Sequence, residues 1–201
     1  MNLNQVYQFT LENVAFDCLP LEEVIEIYKN GSAFSHFIER WLAKKFPITH
    51  VKGCGDHDFI DNVDPDIKYD AKTLTARGCN YCPSSMIGTG RKFDQELFEQ
   101  KANKLIYIIV SNIRFPEIRV KFVTGSDLLV QYPKSKIPYA DYGKFFEDET
   151  FVPEKKPPKK KPPKEKKPPK EKKPRQSKSK KVVSIDNVIL TTPSESGSEL
   201  H

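Results

Sequence analysis

The chain has 201 residues, a net charge of +6 and 37% hydrophobic residues, which suits one folded domain plus a polar tail. The charge is uneven: residues 154–181 hold 15 Lys and Arg against three acids, for +12, whereas residues 1–153 and 182–201 carry −3 each. No apolar run reaches the roughly 18 residues of a membrane helix, the N-terminus lacks the pattern of a secretory signal, and four cysteines are too few for a disulfide scaffold. An intracellular protein of the cytoplasm or nucleus is expected, with a polyanion, nucleic acid first, as partner of the cationic tail.

Taken in order, Val6 to Phe16 read as a short strand or strand-like lead. Pro20-Leu21-Glu22-Glu23 opens a helix, since Pro is tolerated in a first turn and acids suit the positive helix end. Asn30-Gly31 stops it. Ser32 or Ser35 can cap the next helix, whose Phe34, Phe37, Ile38, Trp41 and Leu42 form one apolar stripe with Glu39 and His36 beside it. After Pro47 the period changes, and 49–61 and 66–75 read as strands. In the second, Tyr69, Ala71 and Thr73 share one face, and Lys68, Asp70 and Lys72 the other. Residues 76–93 read as a loop, and Asp94 as the cap of a helix to Leu105. Ile106–Val110 reads as a strand covered on both faces. Residues 117–123 and 127–132 read as further strands, and 139–146 as a closing helical turn.

Composition breaks at Pro153. This divides the chain into a folded domain (1–150), a disordered Lys/Pro-rich tail (151–181) and a short apolar segment with a disordered terminus (182–201). Val182–Leu190 alternates like a strand and suits edge pairing or docking. Pro-Lys-Lys-Lys-Pro at 158–162 fits a nuclear-localisation patch. Such Lys/Pro repeats are similar to those in some large DNA-virus proteins.

Asp70-Ala71-Lys72 matches the acid-x-Lys half of a metal-dependent nuclease site. On a strand, positions i and i+2 point the same way, so a Mg²⁺-binding carboxylate and an ammonium face one pocket. The tripeptide alone is unselective. It recurs at Asp66-Ile-Lys68, at Glu99-Gln-Lys101 and after Glu154, Glu165 and Glu171. Only the Asp70 copy lies on a strand preceded by a second acid-rich strand, Gly53–Ile60. Asp66, although preceded by Pro65, is too close to Asp70 for a turn between paired strands. Asp58 leaves room for one, with Asp56 in reserve. The bland alternative for Asp70 and Lys72 is an ion pair on a solvated strand face, and for Glu39 an exposed helical position.

Helix, the acid-rich strand Gly53–Ile60 with its G-D-x-D, the D-A-K strand, helix and apolar strand together resemble the PD-(D/E)xK restriction-endonuclease-like superfamily over roughly residues 32–132. The resemblance implies an α/β (α+β) fold, a mixed central sheet flanked by helices. It also implies Mg²⁺-dependent hydrolysis of phosphodiesters in double-stranded DNA, an activity for which a homodimer suits double-strand cutting. By position, Asp58 and Asp70 become metal ligands, Lys72 the catalytic lysine, and Glu39 the acid that some members add from the preceding helix.

The cysteines support a competing reading. Cys54-x-x-His57 and Cys79-x-x-Cys82 have zinc-like spacing, and four such ligands can close a tetrahedral structural Zn²⁺ site in a non-enzymatic nucleic-acid-binding module. On a strand, however, Cys54 and His57 point to opposite faces unless a bulge intervenes. A third reading is a structural protein that docks through its tail. Finally, Gly88-Thr89-Gly90-Arg91-Lys92 before a helix suits phosphate contact, with Arg77 in the same loop, but it lacks the full Walker pattern.

Overall fold

The computed structural model describes residues 1–153 apart from Asn13, Ala15, Cys54 and residues 87–89. The expectations for the Lys/Pro segment, the 158–162 patch and the 182–190 segment lie outside these residues.

Among the described residues five helices, α1 (Leu21–Lys29), α2 (Gly31–Lys45), α3 (Gln95–Ala102), α4 (Gly125–Gln131) and α5 (Tyr142–Phe145), accompany eight strands. The strands are β1 (Val6–Thr10), β2 (Ile48–His50), β3 (Phe59–Asp61), β4 (Lys68–Leu74), β5 (Cys79–Asn80), β6 (Ile106–Ser111), β7 (Glu117–Thr124) and β8 (Lys136–Ile137). Six form a mixed sheet in the order β1-β7-β6-β4-β3-β2, while β5 and β8 pair separately. The sole parallel pair in the six-stranded sheet is β4 with β6. A parallel pair needs a long crossover, and α3 lies within that connection.

Both sheet faces are covered. On one, Phe34, Ile38 and Leu42 of α2 pack over Tyr69, Ile108, Val120 and Phe122. On the other, Phe98, Leu128 and Tyr142 pack over Leu74, Tyr107, Ile109 and Val123. Hence β6 is buried from Tyr107 to Ser111, as its unbroken apolar run predicts.

Four local expectations are corrected. The predicted strand over 49–61 is two strands, β2 and β3, separated by a loop through Gly53 and Gly55; Gly53 has a φ of +71°, a left-handed conformation that ends a ladder. The predicted strand over 127–132 is helix α4, because the Thr124 side chain accepts from the Asp127 amide and nucleates a turn. Asn30, rather than Ser32 or Ser35, caps α2 by accepting from the Ser32 amide. The loop over 76–93 contains β5 and a 3-10 turn at Ser84–Met86.

Asp94 caps α3 as expected, accepting from the Leu97 amide at 3.0 Å. The C-terminal end of α3 is fixed against the start of α4 at Gly125. A Cβ there would fall 1.8 Å from the Ala102 carbonyl oxygen, so only glycine permits the approach. This contact holds Lys101 and Lys104 beside the mouth of the site.

Candidate active site

The site forms where β3 and β4 part. Their ladder ends at Phe59 opposite Tyr69, and the Asp58 amide still donates to the Tyr69 carbonyl at 2.8 Å. Beyond it the chain turns into the glycine-containing loop. The Ala71 amide would lose a ladder partner, and the Asp58 side chain replaces it, with Oδ2 accepting at 2.8 Å. Backbone geometry thus fixes the Asp58 carboxylate beside Asp70.

Asp70 and Lys72 point away from α2, as does Leu74, which belongs to the core cluster on that face. In the parallel register Asp70 lies beside Tyr107 and Lys72 beside Ile109. Lys72 Nζ is 2.7 Å from Asp70 Oδ2, with side-chain exposures of only 24% and 13%. The solvated-face alternative therefore does not describe this pair. Asp58, Asp70 and Lys72 line one cleft of about 160 Å³ together with Gly55, Asp56, His57, Pro83, Lys101 and Leu105.

Electrostatics set the protonation states. Burial raises the Asp70 carboxyl first, Lys72 opposes, Asp58 adds to the rise, and the result is pushed up to about 7. Burial pulls the Lys72 ammonium down, but Asp70 and then Asp58 outweigh it and the net direction is up. Lys72 is therefore a fixed cation rather than a proton acceptor at neutral pH. Two ionised carboxylates beside one ammonium would leave a surplus negative charge; the metal-free site relieves it by raising Asp70, and a bound cation would relieve it by favouring the ionised form. The donor set is all oxygen, which fits Mg²⁺, an ion commonly held by one or two carboxylates with water and phosphate oxygens. No group of three or more His, Cys, Asp and Glu suited to a metal occurs among the described residues.

Other expected residues lie elsewhere or in different roles. Asp56 is not on a strand, so alternation does not apply to it, but it lines the same cleft as Asp58. It sits in the loop at the cleft mouth, 75% exposed, with Oδ1 3.1 Å from Lys101 Nζ, and this pairing lowers its pKa. Glu39 meets His50 of β2 at 3.4 Å and is not among the residues lining the cleft. Arg77 follows the far end of β4 and lines a separate cleft with Glu26, Lys29 and Thr75. Arg91 and Lys92 are exposed, and neither lines the Asp70 cleft; Gly88 and Thr89 lie outside the described residues.

Of the zinc set, Cys54 lies outside the described residues. His57 lines the cleft. Cys79 and Cys82 are buried in the core with Leu74 and Tyr107. Burial pushes the Cys79 thiol up to about 12, and the Cys82 thiol is raised for the same reason. Both thiols are therefore protonated at neutral pH in the metal-free protein.

Sequence reasoning missed Tyr107. Its hydroxyl is buried without a hydrogen-bond partner, and Asp70 contributes to raising its pKa after burial itself. The missed signal is register: a polar-tipped residue inside an apolar strand that falls beside the acid of the D-A-K strand.

Comparison with protein-family models gives no match, and comparisons with curated proteins and with solved structures give no significant match. No helix among the described residues is long and apolar enough to cross a membrane.

Proposed function

We propose that this chain is a Mg²⁺-dependent endonuclease that hydrolyses phosphodiester bonds of double-stranded DNA on a restriction-endonuclease-like core. The observation that carries the reading is the buried Asp70–Lys72 pair with the Asp58 carboxylate brought against it at an open cleft. A purely structural ion pair would be close to neutral. Adding a second carboxylate makes sense where a cation completes the site.

In this reading Asp58 and Asp70 hold the ion. Bound there, Mg²⁺ would supply a Lewis acid for a phosphoryl oxygen and a more acidic water. Asp58 is oriented by the Ala71 amide and needs no rearrangement. Lys72, kept protonated by Asp70, offers its ammonium to the negative charge that accumulates during displacement at phosphorus. Leu105 and Pro83 on the cleft wall restrict water around that pair. The tail, at +12 over 154–181, would hold DNA near an acidic domain through counterion release.

The test is incubation with supercoiled plasmid and Mg²⁺, beside Lys72→Ala and an EDTA control. Mg²⁺-dependent nicks or cuts that vanish in Lys72→Ala support the assignment. Cleavage that survives the substitution removes the site. A folded protein that binds but never cuts DNA shifts the weight to a binding module.

A further inference from the structure

A second cleft, of about 250 Å³, adjoins the first and shares four of its lining residues, Asp56, His57, Lys101 and Leu105. Its remaining walls are Lys68 and Lys104. Three ammonium groups from two separate elements thus converge on one opening: Lys68 from the start of β4, Lys101 from the last turn of α3, and Lys104 just beyond it.

The bland account is that lysines near a helix C-terminus complement its dipole. It covers Lys101 and Lys104 and says nothing of Lys68, which stands on a strand. Nor does the cluster balance its own charge. Of the three, Lys101 pairs with Asp56 at 3.1 Å, Lys68 acts on the same carboxylate only as a more distant charge, and Lys104 forms no ion pair among the described residues. Residues 1–153 carry −3 overall, so a positive cleft against that background is a local feature. Like charges held around one opening are stabilised by an anion that bridges them.

We propose that this cleft is a phosphate subsite that takes the nucleic-acid backbone next to the phosphodiester held at Asp58, Asp70 and Lys72. The proposal deepens the nuclease reading and rests on it for the identity of the ligand. Lys68, Lys101 and Lys104 bind phosphate oxygens as point charges and carry no base information. Asp56 occupies Lys101 in the free protein and is displaced when the backbone phosphate arrives. The strand is thereby given a direction, across the α3 C-terminus and the start of β4 and into the Asp70 cleft. Arg77, on its separate cleft, is not on this path.

The experiment is lysine acylation of the full chain, read residue by residue by mass spectrometry, with and without a short DNA duplex in EDTA. Reading each lysine separately keeps the many tail lysines from masking the domain, and chelation removes any dependence on cleavage. Slower labelling of Lys68, Lys101 and Lys104 with duplex, and unchanged labelling of exposed Lys44 on α2, is the expected result. Protection of the tail lysines while Lys68, Lys101 and Lys104 label at the free rate overturns the subsite, even if plasmid cleavage is observed. Protection of the three in a protein that never cuts DNA keeps the subsite and removes the nuclease reading. As a second measurement, Lys68→Ala/Lys104→Ala should raise KM for cleavage. It should also lower the slope of log KM against log salt by about 1 per lysine removed, and an unaltered slope counts against the proposal.

Discussion

Asp70 and Tyr107 stand side by side on the two parallel strands of the sheet. One carries a carboxyl held partly protonated near neutral pH by burial and by Asp58. The other carries a buried hydroxyl with no partner. An orphaned buried hydroxyl costs about 1–3 kcal/mol, and the core beneath it is otherwise apolar. Tyr107→Phe should therefore be neutral or stabilising, by up to about 1 kcal/mol, in urea unfolding of the metal-free protein. A loss of more than that would show that the hydroxyl is bonded, through water, within the site.

The Asp70 carboxyl also makes a pH prediction. Its pKa is raised to about 7 from the ordinary 3.8. Between those values the native state holds a proton that the unfolded chain has released, so stability is greatest at the acidic end of the window and falls as pH rises toward about 7. Asp70→Asn should remove this slope. Unfolding free energies of both proteins in EDTA, compared from about pH 5 to 7.5, read it directly. Parallel curves for the two would refute the assignment.

Much of this arrangement was legible in the sequence. Strand alternation correctly put Asp70 and Lys72 on one face, the Asp94 cap located α3, and the unbroken apolar run of β6 announced burial on both sides. The misreadings have physical causes. The 51–58 segment looked like strand by its residues, but its glycines end the ladder and leave Asp56 in a loop at the cleft mouth, paired with Lys101. Leu128–Gln131 looked like strand until the Thr124 cap and the packing of Leu128 made it helix. The Lys68–Lys101–Lys104 cleft could not be read at all, because only the β4–α3–β6 crossover brings those segments together. Two of its lysines, Lys68 and Lys101, end D/E-x-K copies whose acids, Asp66 and Glu99, do not line it.

At the close of the domain, Asp148 Oδ2 lies 3.0 Å from Arg114 Nη2 and 3.1 Å from Arg119 Nη1. Its Oδ1 accepts from the Thr150 amide and hydroxyl. Burial works against its charge, but Thr150, Arg119 and Arg114 outweigh it and hold the carboxyl below the usual range. Packing continues to Phe151, whose ring meets Tyr142 and Tyr139. Asp148→Ala would leave the nearly buried Arg119 with Glu117, at 3.2 Å, as its remaining counter-charge and would remove the acceptor of Thr150, at a cost of about 1–3 kcal/mol. Because these residues are remote from the cleft lining, the same variant, assayed well below its Tm, should retain Mg²⁺-dependent cleavage.

Gly125→Ala tests how the phosphate subsite is held. The new Cβ would meet the Ala102 carbonyl at 1.8 Å, which no side-chain rotation can relieve, so α3 or α4 must move. Overpacking of this kind costs about 1–3 kcal/mol. The displacement is transmitted to Lys101, one residue before the clash, and to Lys104. The catalytic pair on β4 is anchored independently, by Asp58 through the Ala71 amide and by pairing to β6. The expected signature is thus a lower Tm together with a raised KM for DNA and a much smaller change in kcat. A fall confined to kcat would mean that α3 governs the geometry of Asp70 and Lys72 themselves, and that the two clefts are not mechanically separate.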